Sequence, residues 1–158
     1  MSNAVDLPAN EYIPTLALMK KIDFLEGVPD ETLKDVLFSL QKETFSKDRT
    51  ILFQGEIANR LFIIQKGKVI ISTKNKGSKL VLAELSAPHY FGEISLLRPM
   101  SATATVTSGE EGTELIILNH DALTQLSKKL PDIQKRIQGV IETRLESKKQ
   151  AKEAEETQ

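Results

Sequence analysis

The sequence contains no cysteine and no tryptophan, only two histidines, and aromatic residues at 5% of the chain. Without cysteine there is neither a disulfide framework nor a thiolate ligand for zinc. The histidines, His89 and His120, stand far apart with no neighbouring ligand pattern, so no metal centre is expected. Charge of one sign is lacking too. Lys and Arg number 21 against 22 Asp and Glu, for a net charge of -1 and an isoelectric point near 6.2. That balance offers no global attraction to nucleic acid or to an anionic membrane. Apolar runs are short, and the N-terminus has no basic start followed by an apolar stretch, so neither a membrane span nor a secretory signal is read. A cytoplasmic protein is expected. Nor does any nucleophile stand beside a base and an orienting group, which argues against an enzyme.

What is present suits one globular domain. The 158 residues are 40% hydrophobic and 27% charged. Residues 1–10, small and polar with Pro8, are expected to form a flexible lead-in, residues 11–147 the domain with its C-terminal helix, and residues 148–158 a solvated tail rich in Lys, Glu, Ala and Gln. Between Tyr12 and Leu25 the positions Ile13, Leu16, Met19 and Ile22 recur every three residues, which predicts a helix. Pro29 and Asp30 then open a second, whose apolar face is Leu33, Val36, Leu37 and Leu40.

After Gln41 the period changes. Six β-rich runs are predicted at 50–53, 61–65, 68–73, 79–85, 103–107 and 113–118. Their breaks are Gln54-Gly55-Glu56, Lys66-Gly67, Asn75-Lys76-Gly77-Ser78 and Gly109-Glu110-Glu111-Gly112, each read as a turn with glycine at positive φ. No helices suited to parallel crossovers separate most of these runs. The expected fold is therefore mainly β with flanking helices, an antiparallel roll or sandwich. From Asn119 helical periodicity returns through Leu123 and Leu126, pauses at Pro131, and resumes with Ile133, Ile137, Val140, Ile141 and Leu145. His120 and Asp121 are expected to cap the helix that follows the last strand. Glu110 and Glu111 are expected at a solvated hairpin tip, and His89 in a surface turn. No internal repeat is visible.

The segment richest in chemistry is Phe91-Gly92-Glu93-Ile94-Ser95-Leu96-Leu97, followed by a loop and the run from Ala102 to Thr107. A glycine opening a short helix suits an anion, because bare N–H groups carry partial positive charge and no Cβ obstructs approach. Glu93 could accept hydrogen bonds from hydroxyls. The structural alternative is a turn glycine followed by a solvated carboxylate that the helix dipole favours.

From Leu18 to about Leu145 the chain resembles the cyclic-nucleotide-binding domain family, which includes catabolite-activator-like proteins and regulatory subunits of cAMP-dependent protein kinase. Phe24-Leu25-Glu26-Gly27-Val28-Pro29 is similar to the family's helical lead into the roll, and Ile51-Leu52-Phe53-Gln54-Gly55-Glu56 to its first turn. Leu61-Phe62-Ile63-Ile64-Gln65-Lys66-Gly67-Lys68-Val69 resembles its strand-turn-strand signature, and Phe91 through Val106 its phosphate-binding cassette. The resemblance implies a jelly-roll or double-stranded β-helix with N-terminal helices and a long C-terminal helix. It implies a regulatory, ligand-sensing module, with cAMP or cGMP as the ligand and no other cofactor. Glu93 would hold the ribose hydroxyl, and backbone N–H groups of Gly92, Ile94 and Ser95 would approach ribose and phosphate.

The family's arginine, which pairs with the cyclic phosphate, falls on Ala102 when residues are counted without a gap, with Thr103 next to it. A loop two residues shorter places it on Met100. Neither residue carries charge, and Arg98 is the nearby cation. A degenerate protein-interaction or dimerisation domain that binds no cyclic nucleotide is thus the second reading. The C-terminal stripe could serve as a lid over the pocket or as a homodimer seam. The family's DNA-reading helix-turn-helix would follow the long helix, where only a short polar stretch remains, so DNA binding is not expected of this chain.

Overall fold

The computed structural model describes residues 4–92 and 100–143. The elements in order are β1 (Val5–Asp6), α1 (Tyr12–Met19), α2 (Asp30–Leu37), β2 (Gln41–Phe45), β3 (Thr50–Leu52), β4 (Ile57–Ala58) and β5 (Arg60–Asn75). There follow β6 (Ser78–Ser86), β7 (Tyr90–Phe91), β8 (Met100–Ser101), β9 (Thr105–Asn119), α3 (His120–Lys129) and a further helix, α4, over 133–143. Short 3-10 turns at Ala9–Glu11 and Asp23–Leu25 flank α1. The strands pair antiparallel in the order β1-β2-β9-β5-β6, with β3 also on β9 and β7 also on β5, while β4 and β8 make a separate pair. This is the antiparallel roll with flanking helices that the run spacing predicts.

Two long strands form the wall of the roll, and each buries both faces. Along β5, Leu61 and Ile63 join the cluster under the helices, whereas Phe62 and Ile64 join the cluster inside the roll. On β9, Ile116 and Leu118 face the helices while Leu115 and Ile117 face the interior. Successive strand side chains point to opposite faces, so a four-residue apolar run is what a wall between two cores requires. Each such side chain contributes roughly 1.5–3 kcal/mol through burial.

The expected breaks inside these strands are corrected. Lys66-Gly67 and Gly109 to Gly112 are not turns between separate runs; β5 and β9 continue through them, with register shifts between Ile64 and Lys66 and between Gly67 and Val69. Such irregularities bend a strand without ending it. Gly67 and Gly112 do adopt positive φ, of 80° and 81°, but Gly109 does not. A Cβ on Gly67 would lie 2.1 Å from the Gly112 carbonyl oxygen, so the two strands meet backbone to backbone there. Glu110 and Glu111 accordingly sit on an exposed stretch of β9, not at a hairpin tip.

Three local expectations also shift. Met19 and Ile22 are buried as the spacing predicts, but Ile13 is 83% exposed and Leu16 only partly buried; Thr15 and Leu18 complete the buried side, an i, i+3, i+4, i+7 set with Met19 and Ile22. The segment read as a lead-in carries β1, paired with β2, and a buried Leu7. The cap of α3 is Asn119, whose Oδ1 accepts from the Ala122 N–H at 2.9 Å; His120 and Asp121 are the first helical residues and are exposed. Pro131 does interrupt the helices.

Helix α4 packs against the helical layer. Ile133, Ile137 and Ile141 are buried in the cluster that holds Phe24 and Leu25, with Val140 half-buried beside them. This part of the stripe therefore faces the helices and not the roll interior. Arg136 donates from its guanidinium to the Glu26 carbonyl and pairs with Asp132, and Lys129 on α3 pairs with Asp35 on α2. Leu145 and residues 148–158 lie outside the described residues.

Candidate functional site

The proposed cassette starts where β7 leaves the wall. Phe62 and Ile63 of β5 are the register partners of Phe91 and Tyr90, and alternation sends those two side chains opposite ways. Phe91 enters the roll and stacks on Phe62, with centroids 4.9 Å apart and planes 14° from parallel. Tyr90 turns toward the helices, meets Phe24 edge to face at 5.4 Å, and donates its hydroxyl to Asp23 Oδ1. One dipeptide thus touches both cores.

Gly92 comes next, half-buried with φ of 88°. A Cβ at this position would lie 2.6 Å from the Arg60 carbonyl oxygen. The glycine is required by two local facts, the left-handed backbone and the close approach to β5, whether or not a ligand uses its N–H. Glu93, Ile94, Ser95 and Arg98 lie outside the described residues.

The far end of the segment is pinned as firmly. Met100 and Ser101 pair with Ala58 and Ile57. The Ala102 N–H donates to the Glu56 carbonyl, and the Gly55 N–H donates to the Ala102 carbonyl, both at 2.8 Å. The turn behind them is held in its own right: the Phe53 N–H donates to a Glu56 carboxylate oxygen and the Gln54 N–H to Thr105 Oγ1. Ala102 is half-buried and packs against the roll-interior cluster, whereas Thr103 is exposed on a bend. The position where the ungapped count expects an arginine is therefore on the interior wall, and a methyl group stands there.

The sequence-based candidates omit one residue that the structure brings to this place. Arg60, at the start of β5, is half-buried, and its guanidinium carbon lies 5.1 Å from the centre of the Phe62 ring. Strand parity was its available signal, since Arg60 precedes the inward Phe62 by two residues. Elsewhere, His89 is exposed in the turn before β7, with Nδ1 3.0 Å from the Ser86 carbonyl, as expected. Lys42 has a raised pKa, first because it donates a hydrogen bond to Glu11, against the opposing effect of burial, and then through Glu114. That cluster ties α1's approach to the sheet, away from the cassette. Among the described residues, no group of three or more His, Asp or Glu is placed to hold a metal ion.

Comparison with known proteins agrees with this architecture. The family model described as the cyclic nucleotide-binding domain matches residues 42–129, more than half of the chain. The chain belongs to that family, and it is a regulatory domain of the cyclic-nucleotide-binding type. It is 24% identical over 127 residues to cGMP-dependent protein kinase 2 of Mus musculus, covering 79% of this chain and 17% of the kinase. It is 32% identical over 102 residues to the cAMP-dependent protein kinase regulatory subunit of Dictyostelium discoideum, covering 62% of this chain and 29% of that one. The Thermus thermophilus catabolite activator protein superposes with a TM-score of 0.75 at 25% identity, over 84% of this chain and 62% of that structure. The chain thus spans only part of the length of these relatives.

Proposed function

We propose that this domain binds a cyclic nucleotide, cAMP or cGMP, in the roll beside residues 91–103, and that occupancy is passed to the helical layer. The observation that carries the proposal is the double attachment of Tyr90-Phe91: Phe91 is stacked inside the roll while Tyr90 is bonded to Asp23, next to the Glu26 carbonyl that Arg136 of α4 holds. Movement at the start of the cassette is felt directly under α4. In this reading Phe91 and Gly92 frame the site, Glu93 accepts from the ribose hydroxyls, and the N–H groups of Ile94 and Ser95 face the phosphate. Ala102 and Thr103 close it, with Arg98 as a further cation.

The domain acts as a sensor and not as an enzyme, in the cytoplasm, and uses no metal. Among the described residues no helix is long and apolar enough to cross a membrane. Titration calorimetry and thermal shift with cAMP and cGMP test the proposal. Saturable heat with a rise in melting temperature is expected. The absence of both at millimolar ligand would instead favour a protein-interaction domain, the reading that the methyl group of Ala102 supports.

A further inference from the structure

We infer that β6 is an edge along which two copies of this chain pair, antiparallel and about a two-fold axis. This goes beyond ligand binding and uses a different part of the roll. Nine residues long, about 31 Å when extended, β6 ends the sheet order β1-β2-β9-β5-β6 and pairs with β5 along one side. Among the described residues, no strand lies on its other side. Leu80, Val81 and Leu82 are each more than half exposed, a run of three large apolar side chains. A sheet edge beside such a run offers a further strand both main-chain hydrogen bonds and apolar burial.

The strand's own charge pattern selects a second copy as the occupant. Lys79 and Glu84 are five residues apart, and strict alternation would put them on opposite faces. The register with β5 shows otherwise. Lys79 is paired with Lys74, Val81 with Ser72 and Glu84 with Ile70, while Leu82 is an extra residue opposite the step from Ile71 to Ser72. Directly paired residues share a face, and Ile70, Ser72 and Lys74 alternate by two, so Lys79, Val81 and Glu84 lie on one face. The bulge thus brings two exposed, opposite charges onto the same face at either end of the apolar run. A two-fold axis between Val81 and Leu82 sets Lys79 against Glu84 of the second copy, Glu84 against Lys79 of the second copy and Leu80 against Ala83 of the second copy, with Val81 and Leu82 at the centre. Moving the axis by one pair sets Val81 against Lys79 or Glu84 and loses both ion pairs, so the charges fix the register.

Sedimentation equilibrium of the intact chain from micromolar to millimolar concentration tests the inference. Lys79→Glu and Glu84→Lys each set like charges opposite one another twice per dimer, and each is expected to raise the dimer dissociation constant about tenfold. Mixing the two variants restores both opposite-charge pairs in a heterodimer, and combining them in one chain restores both in a homodimer. Wild-type association is expected to return in either case, a recovery that damage to the fold would not show. A wild type that stays monomeric overturns the inference and leaves the edge to an extended segment of another protein. A dimer that survives both single substitutions but is lost on Leu145→Asp also overturns it, because the contact then lies at the C-terminal helix. Single variants that weaken association without recovery in the mixture overturn it as well, since Lys79 and Glu84 then do not meet across the axis.

Discussion

Replacing Gly92 with alanine separates two effects that the structure superimposes at the start of the cassette. The residue has φ of 88°, and an added Cβ would sit 2.6 Å from the Arg60 carbonyl oxygen. Gly27 has a similar φ of 79° with nothing within 4 Å of its Cβ position. Gly27→Ala should therefore lose only the conformational preference, roughly 1–2 kcal/mol. Gly92→Ala incurs the same cost and must also push β7 and β5 apart by most of an ångström, since both clashing partners are backbone. A total of roughly 2–4 kcal/mol is expected. Urea unfolding of the wild type and both variants, followed by circular dichroism, gives the difference directly. The displacement should also misplace the cassette, so Gly92→Ala should weaken cAMP while Gly27→Ala leaves it alone. Equal destabilisation by the two substitutions would refute the contact argument, and so would Gly92→Ala with unaltered ligand affinity.

Ala102→Arg, on the interior wall, should strengthen cAMP binding about tenfold or more, measured by calorimetry, and should lower the melting temperature of the ligand-free protein because it places a guanidinium beside an apolar cluster. If the shorter register holds, Met100→Arg produces the gain instead, and unchanged affinity in both would show that no phosphate lies near either. Because the folded-state pKa of Lys42 is raised, mainly by its hydrogen bond to Glu11, its contribution to stability is fully present below the unfolded value of about 10.4 and is lost as pH rises through the folded value. Urea midpoints should fall at strongly alkaline pH more steeply in the wild type than in Lys42→Met, and parallel profiles would contradict this. Because Ile133, Ile137 and Ile141 are consumed within the chain, any homodimer through the C-terminal helix should depend on its distal end. Sedimentation should then show Leu145→Asp dissociating a dimer, whereas a monomeric wild type rules that interface out.

Much of the fold was legible because periodicity and punctuation are local. The second helix began at Asp30 after Pro29 as the start signals indicated, and its face of Leu33, Val36 and Leu37 is buried. The ladder of short apolar runs announced an antiparallel roll, and the order of the Phe24, Ile51, Leu61 and Phe91 motifs pointed to the family that the chain belongs to. The phase of the first helical segment was less legible. Ile13 and Thr15 compete for the inward side, and a single apolar residue does not decide which face a neighbouring helix will cover.

The sequence by itself determined the kinds of element, their order, and the chemical poverty of position 102, where no register supplies a charge. Tertiary structure decided what each glycine and each strand face does. Positive φ serves a turn and a bulge equally, so only pairing with β9 could show that β5 runs unbroken through Gly67. Arg60 became a candidate only when Phe62 and Phe91, 29 residues apart in sequence, were stacked against one another. The physical reason is common to the strand and to Arg60. Propensity acts over a few neighbouring residues, whereas these assignments depend on backbone and side chains that only long-range strand pairing brings into contact.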